Sequence, residues 1–337
     1  MACSGEALDV ISFQRSEGSF AESVHTQSDW EDSFLNWFSS LNIPMAETKL
    51  KLGGLAYYHF STLIKNDPSK KIISGFGSHQ NRKIAAIKCA AETIERLEML
   101  KYFSKNMIIP RELQTSNGWA VHSSLKLAQD KALAEATERH LLLKAYFRHG
   151  WGGFKLIQKI EAGDVTLYLN LGNYTQSDQV SILVAAQSKK FSGVSFGYGL
   201  GQMDQLNSSE FWTSAIFEAC DRILMSASVI TPAPADNWIR QELHYFLNTP
   251  FDFSVFKENS DSNFFEQEKD LSSVELITQD LAKKNNLDFP LYSAFAKSDD
   301  LIPLFTKRNL KPVALDYLDP ILKGHQIFKI PDRHPIL

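Results

Sequence analysis

Three short segments of the chain repeat one pattern, in which acidic residues are followed by arginine. The segments are AAETIER at residues 90–96, LAEATER at residues 133–139 and IFEACDR at residues 216–222. On a helix, positions i, i+3 and i+4 lie on one face. Each copy therefore predicts a helix that presents two carboxylates and one guanidinium to the same side.

The charged side chains of the three copies could form one site if the helices converge. They are Glu92, Glu95 and Arg96 in the first copy, Glu135, Glu138 and Arg139 in the second, and Glu218, Asp221 and Arg222 in the third. Buried carboxylates need cations to offset desolvation, so a divalent metal ion would stabilise them, and the arginines would bind phosphate. For any single copy, the simpler alternative is a surface ion pair worth roughly 0.2–0.5 kcal/mol.

A glycine-containing segment precedes each copy, at residues 75–77, at Gly118 and at residues 197–201. This spacing predicts a unit of strand, glycine turn and helix that occurs three times. Carboxylates and arginines together suggest nucleotide chemistry, but the phosphate-binding GxxxxGK[ST] loop is absent, and GYGLGQ does not open a βαβ unit. A nucleotide site would therefore be built from side chains of separate helices.

The composition is that of an ordinary globular protein. The chain has 337 residues, of which 44% are hydrophobic and 22% charged, and a formal net charge of −4. Without blocks of Lys and Arg we expect no nucleic-acid surface, and no apolar window long enough to span a membrane occurs. The N-terminus does not resemble a secretory signal, and the three cysteines have no zinc spacing. These features predict a cytoplasmic protein.

The pattern of elements predicts one domain of the α/β (α+β) class over residues 1–337. An N-terminal segment with an amphipathic helix covers residues 1–50, and the three repeated units cover residues 51–256. Residues 257–272 are polar and predict a mobile loop. Residues 273–337 predict strands at FPLYSAFAK and PVALDYL, followed by a proline-containing tail.

Nearly the whole chain resembles the YcaO family of ATP-dependent enzymes that modify peptide backbones. GFGSHQNRKIAAIKCAAETIER is similar to the first block of that family, a glycine turn followed by SxxxExxER. SNGWAVHSSLKLAQDKALAEATERH is similar to the second block, and GYGLGQ with SAIFEACDR to a looser third. The resemblance implies a YcaO-like fold in which the repeated units surround a central charged cleft.

The resemblance also implies cofactors and roles, with ATP and Mg²⁺ bound in the cleft. Arg96 and Arg139 would be catalytic and contact phosphates. The implied metal ligands are Glu92, Glu95, Glu135, Glu138 and Glu218. The implied nucleotide contacts besides the two arginines are Lys88, Ser78, Ser123 and Arg222, and Arg15 and Ser23 align with family residues near the nucleotide.

The sequence departs from the family pattern on the side that would hold base and ribose. Lys88 replaces the serine that opens SxxxExxER, and Phe76 replaces the usual lysine of the glycine turn. Ala120, Leu127 and Lys131 occupy positions where the family has polar contacts. The departures indicate that the nucleotide lies differently, or that ATP turnover is weakened or lost.

These features lead to a cyclodehydratase hypothesis, with several alternatives. The enzyme would convert Cys, Ser or Thr of a ribosomally made precursor peptide, as in bacteriocin biosynthesis, into azoline rings such as thiazole and oxazole precursors. A partner protein would present the leader peptide, and the enzyme could be a homodimer. The alternatives are a thioamide-forming enzyme, a non-catalytic scaffold, and a metal-dependent hydrolase that does not use ATP.

Overall fold

Three sheets and the long helices that cover them form the framework of the molecule. The computed structural model describes residues 24–52, 55–66, 71–106, 109–110, 113–189, 192–226, 245–256, 264–268, 274–303 and 310–329. The helices are α1 (Val24–Ser40), α2 (Arg82–Lys105), α3 (Leu125–His149), α4 (Ser209–Ser226), the short α5 (Leu281–Asn285) and α6 (Pro312–Gly324). No helix in the described part of the chain is long and apolar enough to cross a membrane.

Each repeated unit contributes a strand to a different sheet. The strands are β1 (Met45–Leu52), β2 (Leu55–Asn66), β3 (Lys71–His79), β4 (Trp119–His122), β5 (Phe154–Ala162), β6 (Val165–Gln176), β7 (Gln179–Ser188), β8 (Ser195–Gln202), β9 (Glu266–Gln267), β10 (Glu275–Asp280) and β11 (Tyr292–Lys297). The sheet orders are β1-β2-β3, β10-β11-β4 and β5-β6-β7-β8, and β9 adds a short parallel pair with β6. The strands that precede the motif helices, β3, β4 and β8, all lie at a sheet edge.

The third sheet is buried on both faces, because α3 covers one and α4 the other. Leu183, Ala185 and Phe196 pack against Leu141 of α3 in one core cluster. On the opposite face, Ile182 and the neighbouring alternate residues of β7 pack against α4 in a second cluster. This packing explains why β7 is a nearly continuous apolar run.

The glycines of the first and third units lie within strands, which corrects the prediction that they form turns. Gly75 and Gly77 belong to β3, and Gly197 belongs to β8. A Cβ atom on Gly197 would lie 1.9 Å from the carbonyl oxygen of Ala215, so this glycine lets α4 approach the strand backbone. Gly118 is in a turn, with a φ of +76°.

The segment PVALDYL is helical, so the predicted strand there is wrong. It opens α6 with Pro312, whose fixed φ suits the first turn of a helix. Ala314, Leu318 and Leu322 then bury one face at a spacing of four residues. Of the predicted mobile loop at 257–272, only residues 264–268 are described, and they include β9.

Candidate active site

The glutamate and arginine of the first unit bind the free edge of strand β3. The Phe76 amide donates to Oε2 of Glu92 at 2.6 Å, and Arg96 donates to the carbonyl of Ser74. Arg96 also pairs with Glu92, with 2.5 Å between Nη2 and Oε1. An edge strand exposes unpaired N–H and C=O groups, and this pair satisfies one of each.

The third unit repeats these contacts in the same register. The amide of Tyr198 in β8 donates to Oε2 of Glu218 at 2.9 Å, and Arg222 donates to the carbonyl of Phe196 at 2.9 Å. Arg222 pairs with Glu218 at 2.7 Å. In units one and three, the repeated motif therefore fastens a helix to the edge of a sheet.

The second unit lacks this arrangement. The amide of Val121 in β4 donates at 2.9 Å to Glu95, which belongs to α2 rather than to α3. Arg139 lies 3.4 Å from Glu138 and 3.9 Å from Glu218, and its guanidinium stacks over the Tyr198 ring at 4.7 Å. These contacts bring α2, α3 and α4 to one junction.

Three carboxylates at this junction have raised pKa values. Burial, followed by the charge of Glu92, raises the pKa of Glu95 to about 8. Burial raises the pKa of Glu138 to about 7, against the opposing effect of Arg139. Burial and the charges of Glu95, Glu138 and Glu92 raise the pKa of Glu135 well above its usual range, although Arg139 lowers it. A cation placed among these groups would favour their ionised forms.

Two lysines lie beside the carboxylates. Lys88 of α2 and Lys131 of α3 are exposed. Desolvation, followed by the charge of Lys131, lowers the pKa of Lys88. Desolvation and the charge of Lys131 also lower the pKa of His122 to about 4, and Ser123 hydrogen-bonds to that ring at 3.1 Å. The two lysines repel each other, and an anion between them would relieve the repulsion.

The carboxylate oxygens are not gathered as tightly as in a formed metal site. In the described residues, no three of the predicted ligands bring oxygen atoms within 4.8 Å of one another, whereas His140, Glu268 and His325 do so elsewhere. Glu268 already pairs with the buried Lys144. Side-chain adjustment at the helix junction would therefore have to accompany binding of Mg²⁺ there.

Ser78, a predicted nucleotide contact, belongs to a buried network that sequence reasoning did not find. Its hydroxyl donates to Asp221 of α4 and lies 2.8 Å from Nδ1 of His59. Oδ2 of Asp221 lies 3.1 Å from the same nitrogen. In a hydrolytic relay the serine and the carboxylate would contact different ring nitrogens. The network therefore fastens α4 to the first sheet, and its geometry does not favour a serine hydrolase.

The remaining candidate residues are two cysteines and two residues near the N-terminus. Cys89 and Cys220 are buried free thiols, and burial raises the pKa of both. Arg15 and Ser23 lie outside the described residues. Sequence reasoning missed that the motif side chains cap edge strands. The capping depends on the strand register, which the motif does not reveal.

The raised pKa values predict a stability that falls with pH and is restored by Mg²⁺. Between the usual pKa of 4.5 and the folded values of about 7 and 8, the folded state binds more protons than the unfolded state. These two carboxyls therefore contribute a free energy of unfolding that decreases as pH rises through this window. His122 and His140, whose pKa values are lowered to about 4 and about 3, contribute the opposite trend up to their usual value of 6.5. We expect the melting temperature in EDTA to fall from about pH 7 to about pH 8, above the histidine range, and millimolar Mg²⁺ to raise it only at the upper end.

The control for this prediction is NaCl at matched ionic strength. A melting temperature that rises over this pH range, or an effect of Mg²⁺ that is equal at both ends of it, would contradict the assignment of these carboxylates. The measurement needs only the purified chain and a thermal melt.

Comparison with known proteins identifies the fold. No protein-family model and no curated protein matches the sequence. A heterocyclase in complex with substrate and cofactor is 10% identical, with a TM-score of 0.52 over 86% of this chain, and the chain spans 55% of that heterocyclase. The chain has the fold of this YcaO-type heterocyclase.

Two other YcaO-type structures are more distant in shape. YcaO from Methanopyrus kandleri bound with AMPPCP and Mg²⁺ is 13% identical, with a TM-score of 0.47 over 78% of this chain and 89% of that one. The E. coli microcin synthetase McbBCD complex with pro-MccB17 bound is also 13% identical, with a TM-score of 0.45 over 76% of this chain and 88% of that one. The YcaO-like fold that the resemblance implied is confirmed by the likeness to the heterocyclase.

Proposed function

We propose that this YcaO-type protein is an ATP- and Mg²⁺-dependent enzyme that activates a backbone amide of a peptide. A Cys, Ser or Thr side chain would attack the preceding carbonyl, and the amide oxygen would leave as phosphate to give an azoline ring. The chain would act as the cyclodehydratase subunit, with a partner protein presenting the leader of a precursor peptide. The proposal includes that the protein forms a homodimer and acts in the cytoplasm.

The observation that supports the proposal best is the group of carboxylates with raised pKa values at the junction of α2, α3 and α4. Glu95, Glu135 and Glu138 are desolvated together, which is unfavourable without a cation. Oxygen ligands suit Mg²⁺, which usually keeps several waters and binds phosphate oxygens. The residues present therefore fit a magnesium–nucleotide complex, and Glu92 and Glu218 would complete its surroundings.

The cations at the same junction divide into two groups. Lys88 and Lys131 are exposed, and Arg139 donates to no strand carbonyl among the described residues, so we propose that these three contact phosphates. Ser123 lies on the same side, next to His122. Arg96, Arg222 and Ser78 are held by edge carbonyls or by Asp221, so we assign them to positioning the helices.

When bound, MgATP would supply the phosphoryl group that makes the amide oxygen a leaving group. The lysines and Arg139 would offset the negative charge of the phosphates, which is the main contribution of the protein in phosphoryl transfer. The carboxylates would hold the cation and exclude bulk water from it. Phe76 is 44% exposed beside Arg96, and its ring offers a face to base or peptide where the family has lysine.

A non-catalytic scaffold is the second candidate, because two of the three arginines already have structural partners. In such a scaffold, the charged junction of α2, α3 and α4 would be retained without ATP turnover. The test is to incubate the protein with ATP, Mg²⁺ and peptides that contain Cys, Ser or Thr, and to measure peptide mass and phosphate together. Loss of one water per phosphate released supports the enzyme, whereas ATP consumption without a change in peptide mass contradicts amide activation.

A further inference from the structure

The first two units repeat a histidine and a lysine as well as the acidic motif. His79 at the end of β3 and His122 at the end of β4 are 43 residues apart. Lys88 of α2 and Lys131 of α3 are separated by the same 43 residues. The two units therefore carry equivalent histidine–lysine pairs.

Both histidine rings are held in the same way. Nδ1 of His79 accepts from the amide of Asn81 at 2.8 Å, and Nδ1 of His122 accepts from the amide of Ser124 at 3.4 Å. Asn81 and Ser124 are the N-cap residues of α2 and α3. A ring nitrogen that accepts carries no hydrogen, so Nε2 carries it in each neutral ring. Nε2 of each ring has no hydrogen-bond partner among the described residues, so each ring has a donor to offer.

Each histidine lies on the strand face that its motif helix covers. A Cβ atom on Gly77, two residues before His79, would lie 2.9 Å from the Cβ atom of Lys88 in α2. Ala120, two residues before His122, belongs to one core cluster with the alanines of α3. Alternate residues of a strand point to the same face. The two histidines therefore face the helices that carry the two lysines.

The two pairs meet in one region of the molecule. Desolvation, followed by the charge of Lys88, lowers the pKa of His79, and desolvation, followed by the charge of Lys131, lowers the pKa of His122. The charge of Lys131 also adds to desolvation in lowering the pKa of Lys88. Two ammonium groups and two N–H donors are thus close enough together to act on one ligand.

The charges around the two pairs leave room for an anion. Asp221 raises the pKa of Lys88 against the stronger effect of desolvation, and it already accepts from Ser78. Lys131 lowers the pKa of Glu95, but burial keeps that pKa at about 8, so the carboxyl is mainly protonated at neutral pH. Two lysines and one carboxylate give this region a net positive charge.

The fold of the repeated unit does not require these pairs. Gly197 of the third unit approaches α4 as Gly75 of the first unit approaches α2. This equivalence places Gly201 where the first unit has its histidine, and Ser214, four residues before the motif glutamate, where it has its lysine. The third unit therefore forms its strand and helix without the pair, which favours a ligand as the reason for it.

We propose that each histidine–lysine pair binds one phosphate group of the same oligophosphate chain. The inference rests on the proposed function, because it assigns contacts within the nucleotide site. Nε2–H of His79 and of His122 would each donate to a phosphate oxygen, and the lysines would supply the charge. The ligand recognised is then a pair of adjacent phosphate groups, as in pyrophosphate, ADP or ATP, and a single phosphate would use only half of the site.

The first test compares inorganic phosphate with pyrophosphate by calorimetry in EDTA, where no metal ion contributes. The second pair adds a charge-assisted hydrogen bond and an ammonium group, so pyrophosphate should bind at least about tenfold more tightly than phosphate. Equal affinities, or no binding of pyrophosphate, would overturn the proposal.

The second test removes one donor at a time. His79→Phe and His122→Phe keep a ring but lose Nε2–H, so each should weaken binding of pyrophosphate and of MgATP about tenfold. His79→Gln and His122→Gln keep an N–H donor near that position and should recover part of the affinity. The control is His149→Phe, at the opposite end of α3, where the ring contacts Tyr174, and it should bind as the wild type does. An unchanged affinity for pyrophosphate in either phenylalanine variant, with thermal melts showing folded protein, would overturn the assignment.

The outcomes separate this inference from the proposed function. If both phenylalanine variants bind MgATP as tightly as the wild type, the histidine contacts are wrong and the proposed function still stands. If pyrophosphate binding depends on both histidines but MgATP does not bind, the phosphate site is supported and the proposed function is contradicted.

Discussion

The variant Glu135→Gln is expected to lose the stabilisation that MgATP gives to the wild-type protein. Glutamine keeps the shape of the side chain but removes the charge that a magnesium ion would contact. Loss of an outer partner of a metal site already costs about 10–100-fold in affinity, so we expect loss of a carboxylate at the ion to cost at least about 100-fold. At a ligand concentration near 100 times the wild-type Kd, the wild type gains about 2.7 kcal/mol and the variant gains little.

The same variant is expected to be more stable than the wild type when no ligand is present. Burial and three neighbouring carboxylates disfavour the charge on Glu135, and glutamine removes that charge. Thermal melts at about pH 8, with and without MgATP, measure both effects. A variant that keeps the full shift with MgATP would contradict the placement of the metal ion.

Glu98→Gln is the matched control, because Glu98 is buried on the same helix as Glu92 and Glu95 but pairs with Lys101 and Lys284. Removing its charge leaves two lysines without their partner and should lower the melting temperature. It should leave the shift with MgATP unchanged. A loss of that shift in both variants would indicate general damage rather than a lost ligand.

The variant Gly197→Ala is expected to destabilise the protein by at least about 3 kcal/mol, since overpacking a close contact typically costs 1–3 kcal/mol and here the obstacle is backbone. Its Cβ would lie 1.9 Å from the carbonyl oxygen of Ala215 and 2.6 Å from the amide nitrogen of Ala219. α4 would have to move away from β8, which would also stretch the contacts of Glu218 and Arg222 with the strand.

The expected change in melting temperature is a fall of at least about 4 °C, because an unfolding entropy of about 2.1 cal/mol/K per residue gives about 0.7 kcal/mol/K for a chain of 337 residues. Gly324→Ala is the control, because a Cβ there meets nothing within 4 Å. If Gly197→Ala melted at the wild-type temperature, the close approach of helix and strand would be wrong. A proportional loss of MgATP binding would show that this approach positions the charged junction.

Much of the architecture could be predicted from spacing alone. The repeated motif marked α2, α3 and α4, and the aromatic residues near the N-terminus marked α1, whose Phe34 and Phe38 are fully buried. These predictions succeeded because helical periodicity is a local property. The YcaO-like fold itself was implied by the resemblance of the sequence blocks around these helices.

The roles within the motif could not be predicted, because they depend on contacts distant in sequence. Ser78 and Asp221 are 143 residues apart, and Glu95 caps a strand of the next unit. Three equal copies suggested three equal roles, yet Arg96 and Arg222 bind strand carbonyls and Arg139 does not. Only the register of the edge strands separates these cases.

The most direct test of the central claim is a calorimetric titration of the wild-type protein with ATP, in Mg²⁺ and in EDTA. The junction of partly buried carboxylates predicts saturable binding in Mg²⁺ and binding at least about tenfold weaker in EDTA, because the ion must neutralise both the carboxylates and the phosphates. Binding of equal strength in both conditions, or no binding in either, would contradict a magnesium–nucleotide site at the junction of α2, α3 and α4.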